Sequence, residues 1–283
     1  MSVGNRVRVA IEAECSAIKA GNVHPHASFR DLDHQHFLIA AKAIGERIDQ
    51  CFGQSLGQIV LQSVHAMMDA VCTNTSLGTI LLLAPLVVAT YHLTNTSCGT
   101  RTIQECLRES LVTLTPEDSL AIYEAIRIAK PGGLGHAPSM DVRHSAPINI
   151  LDAMKLAAEW DDIALQYTTN FDLVFAISRR LEIQQAAGLA KTDAIRCVQI
   201  ELLSERVDSL IARKQGQAFA LQVQANAGVV IASGPFESGG YDSAWHRFDD
   251  FLRDDAHRGN PGTTADLIAA ALFLGEGQLE IYL

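Results

Sequence analysis

Aromatic side chains make up only 6% of the 283 residues, too few to build an interior around rings. Alanine, leucine, isoleucine and valine must fill the core instead, within an apolar fraction of 48%. That mix suits helices better than sheets. Positive charge is scarce too: 22 Lys and Arg stand against 32 Asp and Glu, for a net charge of −10. No basic face or polybasic run occurs, which argues against nucleic-acid binding and against attachment to an anionic membrane surface. CxxC pairs are absent. Cys15, Cys51, Cys72, Cys98, Cys106 and Cys197 lie far apart, as buried thiols of a reducing compartment do, rather than a disulfide frame or zinc site. The N-terminus lacks the long apolar core of a secretory signal. The most apolar segment, Leu77 to Ala89, is short and interrupted by Pro85, so no membrane span and a cytoplasmic location are expected.

What the chain does have is helical periodicity. Leu56, Ile59, Val60, Val64, Met67 and Val71 recur at helical spacings, and similar patterns predict helices over Val7 to Lys19, Asp31 to Phe52, Ile103 to Leu111, Pro116 to Ala129, Ile148 to Leu181, Thr192 to Lys214 and Asp266 to Leu274. Thr115-Pro116-Glu117-Asp118 is a helix start, with a capping Thr, Pro in the first turn and acids on the dipole. Val229 to Ala232 and Leu279 to Leu283 read as short β-like pieces. Lys130 to Ser145 is the longest loop-like insertion. With no repeat and no low-complexity linker, residues 1–283 read as one compact, all-α, multi-helix domain.

Polar residues that simple helix packing does not explain gather in four places. In the first, Gly21-Asn22 ends the first predicted helix, and His24, His26, His34 and His36 crowd a short span. Their i,i+2 spacing points side chains apart on a helix, which favours loop contacts over a zinc site. In the second, Thr73 to Gly78 opens a long apolar helix. Asn74 and Thr75 can cap it while Gly78 permits close helix packing, or free N–H groups there can meet phosphate oxygens. In the third, Asp152, Lys155, Glu159 and Asp162 share a charged helical face, whereas Asp161 falls on the apolar stripe of Leu151, Met154, Ala158 and Leu165. A carboxylate there must be paired, protonated or metal-bound. In the fourth, Asn260-Pro261-Gly262 makes a turn, Thr263 or Thr264 can cap the last helix, and Asp266 lies in its first turn. A triphosphate facing that turn would need a cation between itself and Asp266, which is how Mg²⁺ is commonly held.

Glu14, then Lys19 with Gly21-Asn22-Val23-His24-Pro25, then Asp31-Leu32-Asp33 and Phe37, resemble the N-terminal signature of the triphosphoribosyl-dephospho-CoA synthase family. Asn74-Thr75 with Gly78 is similar to its central Asn-Thr-x-x-Gly element. Asp161-Asp162-Ile163-Ala164 with Gln166-Tyr167 resembles its later helix, and Pro261-Gly262 through Ala265-Asp266-Leu267 its C-terminal motif. The resemblance runs over most of the chain, in order, and implies an all-helical fold. It also implies a reaction joining ribose C1′ of ATP to a hydroxyl of dephospho-CoA with release of adenine. Where CoA-directed members carry a basic Gly-rich segment, this chain has Gly132-Gly133-Leu134-Gly135-His136 and Ser139-Met140-Asp141-Val142-Arg143. It looks closest to the branch found with methanopterin-linked one-carbon metabolism, which implies a second acceptor, a ribitol-bearing aromatic or pterin precursor.

The expectation is therefore a Mg²⁺-dependent transferase using ATP or another ribose-5-polyphosphate. Asn22, His24, Asn74, Thr75, Gly78, Gly262 and Thr263 would hold substrate and phosphates, and Lys19 the donor's negative charge. Asp161 and Asp266 would hold the metal, and Glu14, Asp33 and Asp161 are the catalytic carboxylates. Asn22, His24, Asn74 and Asp266 should meet in one cleft. A homo-oligomer is allowed. A helical nucleotide-binding module without turnover, and a kinase or phosphohydrolase, are the rival readings.

Overall fold

The computed structural model describes residues 1–95, 101–137, 139–253 and 258–278, and these form fourteen helices and no strand. They are α1 (Val3–Ser16), α2 (His34–Cys51), α3 (Leu56–Val71), α4 (Leu77–Asn95), α5 (Ile103–Val112), α6 (Pro116–Ala129), α7 (Ile150–Ala157), α8 (Asp162–Thr168), α9 (Asp172–Ala186), α10 (Lys191–Glu205), α11 (Ser209–Gln215), α12 (Gln217–Ala232), α13 (Gly239–Leu252) and α14 (Gly262–Gln278).

Helices α4 and α14 pack on each other at the centre. Both are apolar on all sides, as a helix surrounded by protein must be. Leu82, Leu83, Leu86 and Val87 of α4, and Ile268, Ala270, Ala271 and Phe273 of α14, are buried in the larger core. Around them stand α1, α5 and α9, with α2, α3 and α6 packed outward in sequence. A second, smaller core gathers Leu203, Ile211, Val223, Tyr241, Trp245 and Phe248 between α10, α11, α12 and α13. Among the described helices α4 alone has the length and composition of a membrane span, and 72% of its most apolar window is buried inside the fold.

Pro85 sits inside α4, where it cannot donate to the carbonyl of Leu81 one turn earlier. Tyr167 of α8 supplies the missing donor: its hydroxyl reaches Leu81 O at 2.6 Å, fully within the core. A break in one helix thus fixes the seat of another. Close approach is exploited elsewhere, as α1 crosses α2 at Gly4 and Gly45, where a Cβ on Gly4 would stand 2.0 Å from Gly45 O.

Several expected elements are corrected. The first helix ends at Ser16, not Lys19. The span Ile148 to Leu181 is three helices, because the chain leaves α7 after Ala157, restarts under an Asp161 cap, and turns again through Asn170 and Phe171 at positive φ. Thr192 to Lys214 is likewise divided by an Asp208 cap. Val229 to Ala232, expected as β-like, closes α12. Leu279 to Leu283 lies outside the described residues. The described residues of Lys130 to Ser145 are loop, as expected.

Candidate active site

Because α1 stops at Ser16, the chain turns back and carries Lys19 beneath the helix end. Its ammonium donates to Glu14 O at 2.5 Å and lies 3.0 Å from Glu14 Oε1. Lys19 is 0% exposed. Burial raises the Glu14 acid above its usual range and the Lys19 charge opposes that rise. Beyond it, Gln199 of α10 clamps the strand-like turn, donating to Ala20 O and to Asn22 Oδ1 and accepting from Ala20 N. The Asn22 amide then donates to Asn260 Oδ1 at 2.7 Å, which ties this turn to the approach to α14. His24 sits behind it, buried, with Nε2 3.1 Å from Arg253. Burial, and then the neighbouring guanidinium, push its pKa down to about 4.

The start of α4 answers to a carboxylate. Asn74 Oδ1 accepts from Leu77 N at 3.0 Å, an ordinary side-chain cap. Asp266, one turn into α14, then accepts from the Thr79 hydroxyl at 2.5 Å. A Cβ on Gly78 would lie 2.1 Å from Asp266 Oδ2, so glycine is what lets the carboxylate reach the helix start. Burial drives the Asp266 pKa up to about 8, against the hydrogen bond from Thr79 and with the help of nearby Glu14 and Asp208.

Helix α14 has its own cap. Asp208, 2% exposed, accepts from Thr264 N and Thr264 Oγ1 with one oxygen. The other oxygen accepts from Leu210 N and Ile211 N at the start of α11. One buried acid therefore joins two helix starts. Asp161 caps α8 through Ile163 N and meets Arg213 at 2.9 Å. Its neighbour Asp162 is paired with Arg206 at 2.6 Å.

These elements enclose a cavity of about 530 Å³, within the usual range for small-molecule sites. Glu14, Asn22, Asn74, Thr75, Gly78, Asp161, Gly262, Thr263 and Asp266 line it. They come from segments far apart in sequence. Three expected residues do not line it: Lys19 is sealed under Glu14, His24 lies behind Asn22, and Asp33 serves as the exposed cap of α2. Lys19 so placed cannot meet a substrate's charge, and Asp33 at 48% side-chain exposure is spent in a capping box with His36. Asp161 is at a helix break, not on a continuous apolar stripe. At 25% side-chain exposure against 13% for Asp162, it is the less buried of the two. Arg213 is its cation.

No group of three or more His, Cys, Asp or Glu able to hold a metal occurs among the described residues. The histidine-rich segment is dispersed: His34 bonds Ser16 and His36 bonds Asp33. The cavity wall also carries residues that the sequence pattern did not single out as site residues, among them Tyr123, Trp160, Arg213 and Lys214, with much of the loop from Pro131 to Val142. Tyr123 secures that loop by donating to Met140 O at 2.6 Å. Asp141 secures it from within, accepting from Arg143 and Ala137 N, and those bonds hold its carboxyl well below the usual range.

A model of the ATP:dephospho-CoA triphosphoribosyl transferase family matches residues 1–281. In solved structures, the fold is similar to that of an Archaeoglobus fulgidus protein described as a triphosphoribosyl-dephospho-CoA synthase. The match has a TM-score of 0.67 and 24% identity, over 86% of this chain and 98% of that one. No curated protein matches the chain significantly.

Proposed function

We propose, from the premise that this chain belongs to the ATP:dephospho-CoA triphosphoribosyl transferase family, that the cavity under α4 and α14 is where the transfer takes place. The bond from ribose C1′ to adenine breaks and a bond from C1′ to an acceptor hydroxyl oxygen forms. The hydroxyl proton passes to a base and adenine leaves with a proton. Such a centre resembles glycoside cleavage and needs a carboxylate at hand. The observation that carries the reading is the meeting of Glu14, Asn22, Asn74, Thr75, Gly78, Gly262, Thr263 and Asp266 in the lining of one cavity.

Within this reading Glu14 is the base for the acceptor hydroxyl, its carboxylate kept available by Lys19 behind it. Thr75, Thr263 and the backbone at Gly262 orient ribose and phosphate oxygens. Among the described residues Asp266 has a hydroxyl and a helix start as partners but no basic side chain, which fits a carboxylate that shares a cation with substrate. Mg²⁺, which usually keeps waters and substrate phosphates beside one or two carboxylates, would supply charge neutralisation at the triphosphate when bound.

For the acceptor, dephospho-CoA is the family's own. A ribitol-bearing aromatic or pterin precursor of tetrahydromethanopterin is the second candidate, and Phe37, Tyr123 and Trp160 in the lining offer apolar surface to the ring of either acceptor. The test is incubation with ATP and Mg²⁺ and each acceptor in turn, reading adenine release and product mass. Free adenine with an acceptor gaining a triphosphoribosyl group is expected. ADP or phosphate release would indicate a kinase or phosphohydrolase, and binding without turnover a nucleotide-binding module. Either would overturn the reading.

A further inference from the structure

An acidic chain that handles polyphosphates must supply attraction locally, since its net charge of −10 repels them. Carboxylates line much of the cavity, and its cationic side chains, among the described residues, are Arg213 and Lys214. Both stand at the end of α11. Arg213 is fastened on one side only: Asp161 at 2.9 Å and Ser209 Oγ at 3.4 Å both meet Nη1. Ser209 in turn donates to Thr263 Oγ1 at 3.1 Å, which sets the guanidinium beside the first turn of α14, one turn before Asp266. Among the described residues Nε and Nη2 make no hydrogen bond, Arg213 lines the cavity, and that edge of a guanidinium matches two oxygens of a phosphate. Lys214 lies along the Gly132-Gly133 turn; its Cε is 3.3 Å from where a Cβ on Gly132 would stand.

We infer that Arg213 and Lys214 form the cationic clamp for a substrate's di- or triphosphate chain, with Asp161 as the residue that positions Arg213 and competes with the anion for it. The inference rests on the transferase reading for its ligand class. It moves the phosphate's principal partners away from the start of α4, whose donors Asn74 and Asp266 already occupy. It also gives Asp161 a role opposite in sign to metal ligation. Both the donor's triphosphate and the diphosphate of dephospho-CoA share the recognised chemistry.

The experiment is calorimetric titration of inorganic triphosphate, ATP and dephospho-CoA, each with EDTA and then with Mg²⁺, and with adenosine as the uncharged control. Wild type, Arg213→Gln, Lys214→Gln and Asp161→Asn are compared, with circular dichroism to confirm folding. Arg213→Gln should weaken inorganic triphosphate by about tenfold or more, the loss of one charge-assisted pair, and leave adenosine unchanged. A parallel loss for ATP identifies the donor as the source of the phosphates, and a loss for dephospho-CoA alone identifies the acceptor. Asp161→Asn keeps an amide oxygen for the α8 cap, removes the competing charge, and should tighten triphosphate in EDTA. Triphosphate affinity within about twofold of wild type in both Arg213→Gln and Lys214→Gln, or no binding to wild type at all, overturns the clamp. Adenine release by wild type is scored separately. A clamp without turnover removes the transferase reading alone, and turnover indifferent to Arg213 and Lys214 removes the clamp alone.

Discussion

On one wall of the cavity stand Glu14 and Asp266, on another Arg213 and Lys214, and the two walls solve the problem of buried charge differently. Glu14 has a permanent counter-ion in Lys19, delivered by the early end of α1 and shut away from any ligand. Asp266 leans on a hydroxyl and a helix start, and burial first, with nearby Glu14 and Asp208, lifts its pKa to about 8. Arg213 is more open, paired with a partly exposed acid and with one edge that bonds none of the described residues. Burying a complete pair costs little further when a ligand binds, but it also offers the ligand nothing. Half-satisfied groups cost stability and are the ones that recognise or react. The difference separates what holds the site together from what works in it.

The largest expected effect tests the carboxylate wall. Asp266→Asn keeps an acceptor for Thr79 and removes the carboxyl that would ionise against a bound cation. Turnover should fall by about 10²-fold or more, the scale seen when a preorganised electrostatic group is removed. Thermal stability should hold or rise, because an acid disfavoured by burial has been taken away. Steady-state rates and melting curves on the same preparation give both halves. A stability loss with normal turnover would mean that Asp266 is only the cap of α4.

Second in size is the sealed pair. Lys19→Met leaves Glu14 buried without its cation and should cost about 3–5 kcal/mol. Adding Glu14→Gln in the same chain should recover much of that loss. Arg213→Gln, on the more open wall, should cost less, about 1 kcal/mol, because water still reaches both members of its half-buried pair. Urea unfolding of the four proteins measures all of this. Similar losses for Lys19→Met and Arg213→Gln would erase the distinction between the two walls.

The parts of this arrangement that are written locally could be read in the sequence. The Thr115 to Asp118 start is capped by Thr115 with Pro116 following, as expected, and Asp118 completes a capping box; the expected stripe of Leu56, Ile59, Val60, Val64 and Met67 on α3 is buried. The meeting of Asn22, Asn74 and Asp266 on one cavity also followed from motifs alone, while His24 stops one layer short. What failed were interruptions without glycine or proline. Ala158 to Asp161 has neither, so periodicity ran through it and a helical wheel turned Asp161 inward. Val229 to Ala232 is rich in β-branched residues that favour strands, yet burial of Val230 in the second core holds it helical. Lys19 was read as a ligand because its seal on Glu14 exists only once α1 ends three residues before it. Arg213 looked like any charge at a helix end, and its partner Asp161 is fifty-two positions away.

The smallest expected effect concerns the layer behind the carboxylate wall. Arg253 donates to Asn22 O at 2.9 Å and faces His24 Nε2 at 3.1 Å, so that nitrogen must offer a lone pair and the ring is neutral. Burial first, Arg253 next, with Lys19 and His26 adding and Asp249 opposing, hold the pKa near 4 against an ordinary 6.5. The sign follows from proton counting. Below 6.5 the unfolded histidine binds a proton that the folded one refuses, so the contribution is whole above that value. It fades as pH falls through the window to about 4. Protonation would set two cations face to face and loosen the grip on Asn22. Going from about pH 7 to pH 5, wild type should lose about 1 kcal/mol more than His24→Gln, which keeps a neutral acceptor for Arg253. Urea unfolding of both proteins at the two pH values gives the difference directly. Equal losses in the two chains would show that His24 carries no such burden, and that the support of Asn22 rests on Gln199 and Asn260 alone.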